Sequence, residues 1–264
     1  MAASSPPPRP PLFDTHCHLD APEFDGMRPR ILEAARAAGV MHLLVPSVSA
    51  RTFDSTLAMR ERHGCLIAFG LHPLYTAGHR DEHLDLLDDY LTRYRPAAVG
   101  EIGLDAWMPD PDLPRQEALF IEQLKLARKH DLPVILHSRR AQDRVLKYLR
   151  LFPVCGGIAH AFNGSEQQAQ AFIKLGFKLW FGGAMTFSGS QRIRRLAATL
   201  PASSLVLETD APDIRPEWGQ DEPNQPANVA RFAAVMAALR QASVTEIATT
   251  TTYNALEALK IVLL

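Results

Sequence analysis

Eight short apolar runs, nearly unbroken by polar residues, recur along the chain: Leu12–His16, Met41–Pro46, Cys65–Leu71, Ala97–Ile102, Pro133–His137, Gly157–His160, Lys178–Gly182 and Leu205–Thr209. Runs that are apolar on both faces suit parallel strands covered on both sides, not half-exposed antiparallel ones. Stretches with three- and four-residue apolar spacing fill the gaps. Pro29–Ala38 stops at Gly39, a helix-terminating residue, and Pro114–His130 places a proline in its first turn. His83–Tyr94, Ala141–Leu151, Glu166–Leu175 and Gln191–Leu200 follow the same periodicity, and Asn228–Arg240 and Val244–Leu259 close the chain. Strict strand–helix alternation predicts the α/β class with a parallel sheet. Eight units in 264 residues favour a single (β/α)8 TIM barrel over an open doubly wound sheet, since such barrels run to roughly 250 residues. A dinucleotide-binding fold is excluded because no GxGxxG follows the first run.

The N-terminal MAASSPPPRPP reads as a disordered, polyproline-like tail over residues 1–11, leaving 12–264 as the barrel domain. No apolar run approaches the ~20 residues of a membrane span. Cys17, Cys65 and Cys155 are odd in number and widely spaced, which fits reduced thiols in a cytoplasmic protein. A soluble, cytoplasmic monomer is expected. The net charge of −1 provides no global field for nucleic acid, so a polyphosphate substrate would rely on local arginines and bound cations.

The chemistry-bearing residues sit at the ends of the runs. His16 and His18 are two apart in the first, so they project together while Cys17 faces away. Glu101 ends the fourth run, His137 the fifth, His160 the sixth, and Asp210 follows the eighth. Ionisable groups in such apolar surroundings are costly unless paired or metal-bound, and this end of the strands is where barrel enzymes keep their active sites. A lone HxH is as easily two polar residues at a strand terminus; the recurrence over five strands makes a metal centre the better reading. One catalytic metal takes about three protein ligands. Six ligands therefore predict two divalent ions sharing one carboxylate, the arrangement used to hydrolyse phosphate esters and amides. Zinc, magnesium, manganese and nickel all accept this mixed donor set.

Phe13-Asp14-Thr15-His16-Cys17-His18-Leu19-Asp20, Gly70-Leu71-His72-Pro73, Val99-Gly100-Glu101-Ile102-Gly103-Leu104-Asp105, Leu136-His137-Ser138-Arg139 and Leu207-Glu208-Thr209-Asp210-Ala211-Pro212 resemble the TatD family of metal-dependent hydrolases, amidohydrolase-like barrels, from about residue 12 to 257. The resemblance implies a deoxyribonuclease acting 3′→5′ on single-stranded DNA. It implies one metal on His16, His18 and Asp210, a second on His137 and His160, and Glu101 between them. Two segments depart from the family pattern. Asp221-Glu222-Pro223-Asn224-Gln225-Pro226 replaces an Asn-Glu-Pro segment, and Asn254-Ala255-Leu256-Glu257-Ala258-Leu259 lacks the usual basic residues.

Further roles follow as expectations. Glu101 bridges the metals, a water activated between them attacks phosphorus, and Asp210 orients that water or takes its proton. His72 contacts the scissile phosphate or protonates the leaving oxygen; a hydrogen-bonded loop histidine is the plainer reading. Arg139 shares the direction of His137 and suits a phosphate clamp, whereas Arg140 is expected to face solvent or a helix. Glu208 supports the ligands from one layer deeper or is a satisfied barrel carboxylate. Trp107 stacks on a base or caps the rim. Arg192, Arg194 and Arg195 read as a solvated helical face. His42, His63, His79, His83 and His130 are assigned no function. A deacylase or amidohydrolase acting on an ester or amide is the competing reading, with a small closed apolar pocket as its mark. A non-catalytic barrel is disfavoured because all six ligands are present.

Overall fold

A computed structural model of the protein describes residues 10–262; most of the expected tail, residues 1–9, lies outside the described residues. The elements alternate as β1 (Leu12–Asp14), α1 (Arg28–Ala37), β2 (Val40–Pro46), α2 (Phe53–His63), β3 (Leu66–Phe69), α3 (Glu82–Tyr94), β4 (Ala98–Asp105), α4 (Leu113–Lys129), β5 (Val134–Arg139), α5 (Gln142–Leu151), β6 (Gly157–Ala159), α6 (Glu166–Lys174), β7 (Phe177–Phe181), α7 (Gln191–Thr199), β8 (Leu205–Leu207), α8 (Val229–Arg240) and α9 (Val244–Ala258). Each strand pairs in parallel with the next in sequence. The ends of the sheet meet where Thr15 N–H donates to Leu207 O (3.1 Å), Asp210 N–H donates to His16 O (2.9 Å), and Cys17 bridges Ala211. The result is the TIM barrel the alternation predicts.

One residue from every strand fills the barrel: Phe13, Leu44, Ala68, Ala98, Ile135, Ile158, Trp180 and Val206. Two alanines among them leave room for the Trp180 indole, the large-against-small filling a tapered interior requires. Helix α9 completes this inner core with Ala255, Ala258 and Leu259. Its Asn254 Nδ2 donates to Ala202 O (2.8 Å) and Leu205 O (2.7 Å) at the start of β8, and Thr252 Oγ1 donates to Pro11 O (2.8 Å). The helix therefore lies across the N-terminal end of the strands. A second, larger core joins the outer strand faces to the helices through residues such as Leu32, Leu87, Phe120, Phe172 and Phe232.

Two differences from the sequence reading have clear causes. Helix α2 has no apolar stripe in FDSTLAMRERH, yet it buries Phe53, Thr56, Leu57 and Met59 and ends at Gly64 in the left-handed region (φ 71°). Strand β4 runs to Asp105, three residues past the expected Ile102, because Gly103 lets it lie against β5. At φ 148° a Cβ on residue 103 would sit 1.9 Å from His137 O. Conversely, ladder pairing stops at Asp14, Ala159 and Leu207. His16, His160 and Asp210 thus stand just beyond it, free of its alternation. Among the described residues no helix is long and apolar enough to cross a membrane.

Candidate metal centre

The six residues singled out from the sequence converge at the C-terminal rim, and His72 joins them. His16 Nε2 lies 3.2 Å from His18 Nε2, 3.1 Å from Glu101 Oε2 and 3.6 Å from Asp210 Oδ1. His18 Nε2 is also 3.6 Å from Asp210 Oδ1. On the other side, Glu101 Oε1 lies 3.0 Å from His137 Nδ1, 3.1 Å from His72 Nε2 and 3.9 Å from His160 Nε2. The two oxygens of Glu101 thus face two different sets of imidazoles, and His160 Nε2 reaches across to Asp210 Oδ2 at 3.6 Å.

These atoms suit cations better than they suit one another. Three groups offer donor atoms mutually within 4.8 Å: His16, His18 and Glu101; His16, His160 and Asp210; and His72, Glu101 and His137. Two ring nitrogens face each other at 3.2 Å with the Glu101 and Asp210 carboxylates beside them, a lone-pair-rich arrangement that a cation among the donors would balance. His16 Nδ1 is buried with no hydrogen-bond partner. The converging ring nitrogens and carboxylate oxygens fit divalent ions.

Carboxylates behind the cluster fix two of the rings. Asp105 Oδ2 is 2.9 Å from His137 Nε2, leaving Nδ1 toward Glu101. Glu208 Oε1 bonds His160 Nδ1, leaving Nε2 toward the cluster. Both are carboxylate–histidine pairs of the kind that orient metal-binding imidazoles. The sequence leaves Glu208 open between supporting the ligands and being a satisfied barrel carboxylate; its observed bond is to His160. The sequence reading assigns Asp105 no role, although Glu101, Gly103 and Asp105 share one face at two-residue spacing. His72 Nδ1 accepts from Leu74 N–H (3.1 Å), which puts its proton on Nε2. Asp14 accepts from Thr209 N–H (2.9 Å) and Thr209 Oγ1 (2.6 Å), tying β1 to the segment that carries Asp210. Asn224, in the stretch that departs from the family pattern, donates from Nδ2 to Thr209 O (2.8 Å) and Ile214 O (3.1 Å) on either side of that residue. Asp210 itself adopts a left-handed conformation (φ 57°), which aspartate tolerates better than most residues.

Burial sets the electrostatics. It pushes the Asp210 and Glu208 carboxyls well above the usual range and raises Asp14 to about 7. It drives His16 well below the usual imidazole value, with His160 adding to the effect, and lowers His72 to about 4. Burial would raise Glu101 too, but His72, His16 and His160, with the His137 hydrogen bond, outweigh it and hold that carboxyl low. Burial likewise opposes protonation of His137, but its bonds to Asp105 and Glu101 lift it to about 9.

The cluster floors a cleft of about 1260 Å³. Arg51, Arg139, Arg140 and Arg192 line its walls with the half-exposed aromatics Tyr75 and Trp107. Arg140 is exposed to solvent and also covers an indole at the cleft wall: its Cζ lies 3.6 Å from the Trp107 ring centroid, with Arg139 Cζ at 5.3 Å. Arg192 also faces the cleft and bonds Asn163 Oδ1, whereas Arg194 Nη1 donates to Met185 O (2.9 Å).

A family model described as TatD related DNase matches residues 13–260. An uncharacterized metal-dependent hydrolase, YjjV, of Escherichia coli (strain K12) is 45% identical over 242 residues, covering 90% of this chain and 93% of that protein. The human deoxyribonuclease TATDN3 is 30% identical over 263 residues, covering 93% of each. The crystal structure of the E. coli YjjV protein, described as a TatD homolog, matches with a TM-score of 0.91 at 41% identity, covering 95% of this chain and 98% of that one.

Proposed function

This chain belongs to the TatD-related DNase family and is a metal-dependent hydrolase, and from that premise we propose that it is a deoxyribonuclease trimming single-stranded DNA from the 3′ end. The supporting observation is the setting of the cluster, on the floor of an open cleft walled by four arginines and two half-exposed aromatics. Arginines recognise phosphate through paired N–H donors, and aromatic rings hold unpaired bases. An acyl substrate would call for a small closed apolar pocket instead.

On this reading His16, His18, Asp210 and Glu101 would hold one divalent ion, and His137, His160 and Glu101 would hold a second. Such ions, when bound, supply Lewis-acid polarisation of a phosphoryl oxygen and a water acidified toward neutral pH. Glu101 turns one oxygen toward each set of imidazoles and would be the carboxylate shared between them. Asp210 orients the attacking water. His72, held neutral by burial, carries its proton on Nε2, the nitrogen facing the cluster, and donates a hydrogen bond to the leaving oxygen. Arg139 pairs with a non-bridging phosphate oxygen. The chain works in the cytoplasm as a monomer, with its free cysteines reduced.

The test is a metal-dependent assay on single-stranded DNA, RNA and small esters with the wild type and Glu101→Ala. Release of 3′ mononucleotides from single-stranded DNA, lost in Glu101→Ala, is the expected result. Cleavage of esters but of no nucleic acid would replace this reading with the acyl one. Full activity of Glu101→Ala on every substrate the wild type cleaves would remove the bridging role.

A further inference from the structure

Trp107 combines features that packing alone does not account for. Its residue is 47% exposed within the cleft lining, although large aromatics usually bury most of their surface. Its backbone is nevertheless fixed: the Trp107 N–H donates to Asp105 Oδ1 at 2.8 Å, and the other oxygen of that carboxylate lies 2.9 Å from His137 Nε2. One carboxylate therefore sets both an imidazole of the metal cluster and the start of the loop bearing the indole. Arg140 stands over the ring at 3.6 Å, and it does so from a left-handed backbone conformation (φ 53°) that non-glycine residues avoid. Ala106 N–H donates to Arg139 O at 2.9 Å, joining the two loops that supply the pair.

We propose that Trp107, backed by Arg140, is the stacking platform for the nucleobase next to the scissile phosphate. The inference rests on the nucleic-acid reading above and deepens it by naming the residue that holds the base. A cation on an indole strengthens that ring as a stacking surface and adds a positive charge where the backbone phosphate of the same nucleotide passes. The exposed surface of the ring takes any of the four bases, because every base offers a π-face; recognition is sequence-tolerant. A base bound in this way is not stacked within a duplex, so the platform favours single strands and frayed ends. The shared Asp105 carboxylate ties the distance between base and phosphate to the position of His137.

The test uses the full chain with three substrates: a decathymidylate, the same oligomer with a 3′-terminal abasic tetrahydrofuran residue, and bis(p-nitrophenyl) phosphate. The variants are Trp107→Ala, Trp107→Phe and Arg140→Ala, with circular dichroism as a check on folding. The wild type is expected to prefer the base-bearing terminus by on the order of tenfold in kcat/KM. Trp107→Ala should abolish that preference by raising KM on decathymidylate, with little change on the abasic oligomer or the small diester. Trp107→Phe should restore part of it. A 3′-terminal 2-aminopurine should be quenched on binding the wild type and not Trp107→Ala, a readout independent of turnover. Equal losses on base-bearing and abasic ends, or a preference that survives in Trp107→Ala, would overturn the platform while leaving the nuclease reading intact. Failure of the wild type to cleave any oligonucleotide would overturn both.

Discussion

Asp105 Oδ2 and Glu101 Oε1 grip the two nitrogens of the same ring, at 2.9 Å from His137 Nε2 and 3.0 Å from His137 Nδ1. Asp105 is thus the partner that keeps Nδ1 pointed at the cluster when Glu101 turns to a cation. Replacing it with asparagine preserves volume but removes the negative charge that orients the ring and makes it basic. Asp105→Asn should weaken metal binding about 10–100-fold. Competition against a fluorescent chelator measures this; unchanged affinity would show that Asp105 serves only its loop.

The same pair predicts a pH dependence. Protonation of His137 up to about pH 9 means that a cation must displace a proton there. Metal affinity should rise with pH up to that point, with about one proton released at His137, read by calorimetry in buffers of different ionisation enthalpy. For the metal-free fold the sign is opposite. His137 is raised above its ordinary value of 6.5, so its contribution is complete below pH 6.5 and is lost as pH rises through about 9. Asp14, raised from 3.8 to about 7, likewise loses its contribution as pH climbs through about 7. His16 and His72, both lowered by burial, push the other way up to about pH 6.5. Thermal melts of the chelated protein should therefore fall between about pH 7 and 9, a flat or rising trend there counting against the His137 assignment.

His72→Ala addresses the hydrogen bond to the leaving oxygen. If Nε2–H stabilises that oxygen as charge develops on it, kcat on oligonucleotides should drop by about 10²–10³-fold. The drop should be far smaller with a p-nitrophenolate leaving group, which needs no proton. An equal loss on both substrates would assign His72 to binding instead.

Gly103→Ala probes the closeness of β4 and β5. The added Cβ would meet His137 O at 1.9 Å, an overlap that only a shift of one strand relieves. The expected cost is about 1–3 kcal/mol or more, with weakened metal binding because the shift moves His137. A variant with wild-type stability and metal affinity would show that the strands yield freely.

Asn254→Ala makes the contrasting case at the other end of the barrel. Removing Nδ2 leaves Ala202 O and Leu205 O without their donor, at a cost of about 1–3 kcal/mol. Turnover per folded molecule should be unchanged, since α9 lies at the far end of the strands from the cluster. Lower Tm with normal kcat in one preparation is the expected signature.

What the sequence reveals follows from where side-chain patterns are simple. Strands buried on both faces announce themselves as unbroken apolar runs, and ionisable residues ending them stand out, so the barrel and the six converging groups were legible. Helix α2 was not, because Phe53, Leu57 and Met59 are separated by residues that break any stripe. Asp105 was hidden by ending β4 too early, at Ile102; only Gly103 accommodates the close pass that carries the strand onward. The contact of Arg140 with Trp107 was not legible, because alternation along β5 ceases at Arg139 and Arg140 takes a left-handed backbone.

Helix α9 and the residue after it, through Ala255, Ala258 and Leu259, pack among the inward-facing strand residues and plug the far end of the barrel. The cluster is therefore reached from the C-terminal rim, and whatever it acts on arrives and departs on that one face of the molecule.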